Sequence, residues 1–140
     1  MKANTRFADD VLAGLQKAKG VRIRAGMGKH RFIHVWFVIV NDRVFVRSWS
    51  VKPSGWYQTF RKDARGAIRI AVGEIAIRAI PVQRKSLRDA VDRAYLKKYK
   101  TPGALKYAKD LVRAKSRATT VELVPCRRSE FARTDVKQRS

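Results

Sequence analysis

A chain of 140 residues with 33 lysines and arginines against 11 acids carries a formal charge of +22 at neutral pH, and 45% of it is hydrophobic. That length suits one domain with a real core, and that composition excludes an intrinsically disordered chain. A single cysteine, Cys126, excludes an intrachain disulfide, and the longest apolar run, residues 35–40, is far too short for a helix to cross a bilayer.

In chain order, residues 5–18 place Phe7, Val11, Leu12 and Leu15 on one helical stripe. Thr5 suits the cap, Asp9 and Asp10 the first turns, and Gly20 the stop. Asp9 and Asp10, with no apolar stretch before them, argue against a targeting peptide, so a cytoplasmic protein is expected. Residues 21–25 alternate as a strand does. A Gly-Met-Gly-Lys loop then leads to residues 31–40, whose β-branched and aromatic side chains predict a central strand. Asn41-Asp42 predicts a tight turn, with a returning strand over 43–49. On that strand Val44, Val46 and Ser48 share the expected core face, and Phe45, Arg47 and Trp49 share the other.

A turn over 51–55 precedes one or two helical turns in 56–64, and strands follow over 67–72 and 75–82. Residues 86–99 predict a helix with Leu87, Val91, Ala94 and Tyr95 on its apolar side and Ser86 with Asp89 as a capping box. Thr101-Pro102-Gly103 breaks it, a second helix covers 104–114, and a last strand covers 118–124. Residues 1–125 are expected to form a single domain, and 126–140 a basic disordered tail. Hairpins outnumber βαβ units, which predicts an α+β fold with an antiparallel sheet or barrel.

The charge divides evenly, +11 over residues 1–83 and +11 over 84–140, so the whole surface is basic and no dedicated arm stands out. Non-specific nucleic-acid binding at low salt follows from that charge alone. His30 and His34 share a strand face without further ligands beside them, which argues against a metal centre. The Gly-Met-Gly-Lys loop lacks the first glycine and the final Ser or Thr of a phosphate-binding loop. No residue stands out as a catalytic acid or base.

The segment 47–62 is the functional candidate. It contains Trp49, Trp56, Tyr57 and Phe60 with Arg47, Lys52, Arg61 and Lys62, and no acid. Flat apolar rings beside anion donors suit either a flavin-type cofactor or a single nucleic-acid strand. Structural roles for the same residues, as a barrel plug with solvated charges, weigh about equally.

Val-Arg-Ser-Trp-Ser, then Gly-Trp-Tyr, then Gly-Ala-Ile-Arg-Ile, then Ala-Tyr-Leu-Lys-Lys-Tyr and Arg-Ala-Thr-Thr-Val-Glu-Leu-Val-Pro together resemble a bacterial family, domain of unknown function 2255, over residues 22–125. The Trp-Tyr pair before a hairpin also resembles the deazaflavin-dependent nitroreductases. The resemblance implies an FMN-binding split barrel, with six antiparallel strands and flanking helices, that forms homodimers. It further implies a phosphorylated cofactor, FMN or a deazaflavin, serving a redox reaction. Arg47 and Ser48 would contact phosphate, Trp56 and Tyr57 would line the ring site, and Arg61 would sit at a helix start. The chain departs from the nitroreductase pattern in lacking a Gly-Arg-x-Ser-Gly segment; residues 41–48 stand in its place. Two further readings stay open: a nucleic-acid-binding module, and a cofactor-free barrel for protein contacts.

Overall fold

The computed structural model describes residues 6–28, 31–49, 55–71 and 73–126. Thr5, Lys29, His30, residues 51–54 of the expected turn over 51–55, Val72 and the residues from Arg127 onward lie outside them. The elements run α1 (Asp9–Lys17), β1 (Gly20–Ala25), β2 (Ile33–Val40), β3 (Arg43–Val46), α2 (Trp56–Lys62), β4 (Arg65–Ile70), β5 (Gly73–Pro81), α3 (Lys85–Lys98), α4 (Pro102–Leu111), α5 (Ala114–Arg117) and β6 (Val121–Pro125). The six strands close an antiparallel barrel in the order β1-β2-β3-β6-β5-β4, with β4 returning to β1. The expected α+β barrel with flanking helices is therefore the fold.

Strand alternation sends one residue in two to the barrel interior, where Ile23, Phe37, Val44, Val46, Ile68, Ile77 and Leu123 are almost fully buried. Helices α1 and α2 add Leu12, Leu15 and Phe60 to this cluster. The outer face of β2 and β3 is buried as well. Val38 and Phe45 pack there against Val91 and Tyr95 of α3, Tyr99 at its C-cap, and Ala108 and Leu111 of α4. The valine face of β3 is thus the interior face, as expected, but the opposite face is covered too. Trp36, on the outer face with Val38 and Val40, is only half-buried, because a cleft opens beside it.

Local chemistry explains the boundaries. Asn41 and Asp42 both adopt positive φ (52° and 62°), the conformation whose twist suits a two-residue hairpin. Pro102 opens α4 at the position where its missing N–H costs nothing. The expected capping box does not form: α3 begins at Lys85, which puts Ser86 inside the helix, and Asp89 binds Lys85 and Arg117 instead. The last strand starts at Val121 rather than 118. The hydroxyls of Thr119 and Thr120 donate back to the carbonyls of Ser116 and Arg117 at 2.6 Å, which holds a turn there.

Gly66 shows how tightly α2 seals the barrel. A Cβ at this position would lie 2.4 Å from the Arg24 carbonyl oxygen and 2.9 Å from the Phe60 ring. The carbonyl belongs to the paired strand β1 and cannot retreat without breaking the ladder. Gly66→Ala is expected to cost about 1–3 kcal/mol, as overpacking does. Gly103→Ala, where nothing lies within 4 Å of the added atom, should be near neutral. Denaturant midpoints of the two variants check this.

Candidate functional site

Within the closed barrel β2 changes partner midway along its length, and that change makes the site. Residues 33–36 of β2 pair with β1, and residues 37–40 pair with β3. The change of partner at Trp36–Phe37 leaves each edge of β2 open over half its length. On one edge β1 begins only at Gly20, opposite Trp36. Helix α3 closes that gap. The Tyr99 hydroxyl sits between the carbonyls of Lys19 and Phe37 and accepts from the Phe37 N–H at 3.2 Å. Lys98 Nζ donates to the Phe37 carbonyl at 2.9 Å and lies 3.5 Å from the centre of the Phe37 ring.

On the other edge β3 ends at Val46, opposite Phe37, and residues 47–49 diverge from β2. The expected strand over 43–49 is shorter for this reason. The space between residues 33–36 and 47–49 is a cleft of about 380 Å³, closed by Gly55, Trp56, Tyr107 and Leu111. That volume lies within the range of about 300–1,000 Å³ typical of small-molecule sites. Trp36 forms one wall, stacked on Tyr99 with centroids 3.9 Å apart and planes 2° from parallel. Tyr107 meets Trp36 and Trp49 edge-on at 6.3 and 5.9 Å. Trp49 is 62% exposed, and its Nε1 donates to Asp110 at 3.3 Å. A second cavity of about 440 Å³ shares Ile33, Gly55 and Trp56 with the first and adds Arg31 and Thr59.

Among the residues singled out in the sequence, Arg47, Ser48 and Trp56 line the cleft together. Tyr57 follows Trp56 on α2 but packs against the barrel interior. Arg61 is exposed in the last turn of α2, away from the helix start and outside the lining. Arg47 has a different environment from the one expected of a phosphate contact. Its side chain is fully buried. Its Nε donates to Thr120 Oγ1 at 2.8 Å, its Nη1 to Asp92 and the Leu111 carbonyl, and its Nη2 to the Arg88 carbonyl at 2.9 Å. Burial draws its pKa below the ordinary value, with Asp92 opposing. Asp92 also binds Arg117, which bridges to Asp89 at 2.7 Å. Arg117 and Lys85 hold the Asp89 carboxyl below the usual carboxylate range. Arg47 therefore fastens α3, α4 and the turn before β6 to the end of β3. Ser48 is held at the same place, its N–H donating to Thr119 Oγ1 at 2.8 Å.

Sequence reasoning missed Trp36 and Tyr107 as cleft residues, Arg31 in the adjoining cavity, and the Asp92–Arg117 network. Tyr107 gave one signal: an aromatic between Lys106 and Lys109, on the polar side of an amphipathic helix. Among the described residues no three His, Cys, Asp or Glu side chains gather as a metal site, and no helix is long and apolar enough to cross a membrane.

The seam beside the cleft makes stability depend on pH. Burial lowers the Lys98 pKa from 10.5 to about 8. Below pH 8 the folded protein bears the cost of that partly desolvated charge. Between pH 8 and 10.5 the folded lysine loses its proton before the unfolded one, so stability rises. Burial raises Tyr95 and Tyr99 well above 10, so above pH 10 only the unfolded chain ionises these groups and stability falls. The urea midpoint is expected to peak between pH 8 and 10, and Lys98→Met should flatten the rising limb.

A sequence family described as an uncharacterized protein conserved in bacteria (DUF2255) matches residues 12–123. A solved structure, the conserved hypothetical protein Rv2991 from Mycobacterium tuberculosis, is similar with a TM-score of 0.56 at 10% identity, over 91% of this chain and 86% of that one. At that identity the likeness is one of fold. No curated protein matches the chain.

Proposed function

The chain belongs to the bacterial DUF2255 family, and we propose that its barrel holds a flat, phosphorylated cofactor of the FMN or deazaflavin class in the cleft where β2 and β3 part. The observation that carries this reading is the placement of the tryptophans. The chain has three, and all of them line this one cleft with Tyr107. Such walls bind a planar ring by stacking and by excluding water. The sequence resemblance to deazaflavin-dependent nitroreductases supports the same class of ligand.

The phosphate end is assigned to Arg31 rather than Arg47. Arg31 is exposed in the adjoining cavity, whereas the donors of Arg47 are spent on internal acceptors. A bound flavin supplies the redox chemistry itself, so the protein's task is to orient the ring and exclude water. Calorimetric titration with FMN, a deazaflavin and riboflavin tests this. FMN or the deazaflavin should bind, and riboflavin should bind at least about tenfold more weakly for want of a charge-assisted contact. Arg31→Gln should erase that difference. Absence of binding at high micromolar cofactor would sink the proposal.

A second reading has one observation in its favour. Trp49 and Tyr107 are 62% and 47% exposed, Tyr107 is flanked in sequence by Lys106 and Lys109, and Trp49 bonds Asp110, which pairs with Arg113. Exposed rings beside cations suit single-stranded nucleic acid. Binding that survives raised salt and requires Trp49 would favour this reading, whereas uniform collapse with salt marks the non-specific attraction of a +22 surface.

A further inference from the structure

A separate cavity of about 590 Å³ lies between α1 and the β1–β4 seam. Its floor is apolar, from Val11, Leu15 and Ala18 of the helical segment and Val21 and Ile70 of the strands. Its rim is cationic. Arg22 and Arg69 stand directly opposite each other across β1 and β4, and both line the cavity. Like charges in that position destabilise a strand pair unless something neutralises them. Glu74 takes part of the Arg69 guanidinium at 2.9 Å, and the guanidinium carbon lies 4.1 Å from the centre of the Phe32 ring. Arg22 is exposed and has no ion pair among the described residues. Asp10 also lines the cavity, and its carboxylate accepts from the Val11 N–H at 2.9 Å.

Gly14 is the third observation. It lies inside the nine-residue helix α1, where glycine weakens a helix relative to almost any other residue. No close approach demands it, since a Cβ there would have nothing within 4 Å. What it borders is the cavity. The residue keeps open a space that any side chain would begin to fill.

We propose that this groove is a second ligand site, for a small apolar anion: an alkyl or aryl group seated on the Val11–Ile70 floor, with a carboxylate between Arg22 and Arg69. The site is independent of the cofactor proposal, although His34 lines both cavities and would stand between the two ligands. The chemistry is differential: the floor selects for hydrocarbon, and the arginine pair selects against neutral and cationic heads.

The test uses the full chain and three probes with ten-carbon chains, each below its micellar concentration or solubility limit: decanoate, decanol and decyltrimethylammonium. Calorimetry should show saturable decanoate binding, decanol at least about tenfold weaker, and no binding of the cation. Arg22→Gln should weaken decanoate about tenfold and leave decanol unchanged, as the loss of a charge-assisted contact implies. Gly14→Leu should abolish decanoate binding while the thermal midpoint stays equal or rises, and FMN titration should be unaffected. Gly14→Ala, whose added methyl group meets nothing within 4 Å, should fold normally and weaken decanoate in the same direction, by less, which keeps the test valid even where the larger side chain disturbs folding. No decanoate binding, equal affinity for all three heads, or binding indifferent to both Gly14 variants would overturn the proposal.

Discussion

Arg47→Ala is expected to lower stability by about 3–5 kcal/mol, the range for removing one partner from a buried charged network. The guanidinium is fully buried and serves Thr120, Asp92, and the carbonyls of Leu111 and Arg88. The variant leaves all four short of a donor and opens a cavity above the Tyr95 ring, which lies 5.7 Å from the guanidinium carbon. Arg47→Lys should rescue little, because one ammonium on a flexible stem cannot reproduce a planar fork spread over four acceptors. Chemical denaturation measures the loss. A solvent-facing phosphate contact would behave oppositely: its removal would leave the denaturation midpoint unchanged and reduce only cofactor affinity.

Tyr99 is expected to show a graded loss. Tyr99→Phe keeps the stack on Trp36 but removes the hydroxyl that serves the open edge of β2. It strands the Phe37 N–H in a buried place, which costs about 1–3 kcal/mol. Tyr99→Ala removes the ring as well, and large aromatic truncations in cores cost about 3–5 kcal/mol. The difference between the two variants separates hydrogen bonding from packing. If both lost the same amount, the seam would hold by hydrogen bonds alone. If Tyr99→Phe were neutral, the Phe37 backbone would have another partner.

The contrast between Arg47 and Trp56 shows what a sequence can convey. Period-two alternation and turn residues marked β1, β2 and the Asn41–Asp42 hairpin, because those signals are local. The barrel closure followed from the count of hairpins and from the family resemblance. The cleft was half visible, since Trp49, Trp56, Arg47 and Ser48 sit close in sequence and meet in space. Its other wall was not. Trp36 sits in the middle of a stretch that reads only as a central strand, and Tyr107 arrives from α4, more than fifty positions beyond Trp56. The role of Arg47 was hidden for the same reason. Asp92, Leu111 and Thr120 lie 45, 64 and 73 positions from it, and no local pattern shows that an arginine will be enclosed rather than exposed. The early end of β3 was likewise invisible, because a strand stops where its partner changes, and that is a property of the sheet.

The tryptophans offer the most direct measurement. All three line the proposed cofactor cleft, so the intrinsic tryptophan emission of the protein reports on that cleft alone. Titration with FMN, and separately with a deazaflavin, should quench most of this emission in a saturable way at micromolar cofactor. Trp49→Ala should shift the midpoint to higher concentration, by the loss of a stacking contact worth about 0.5–1.5 kcal/mol. Quenching by both cofactors that rises linearly without saturation, and no faster than for free tryptophan amide, would contradict the assignment of this cleft to a flavin-class cofactor.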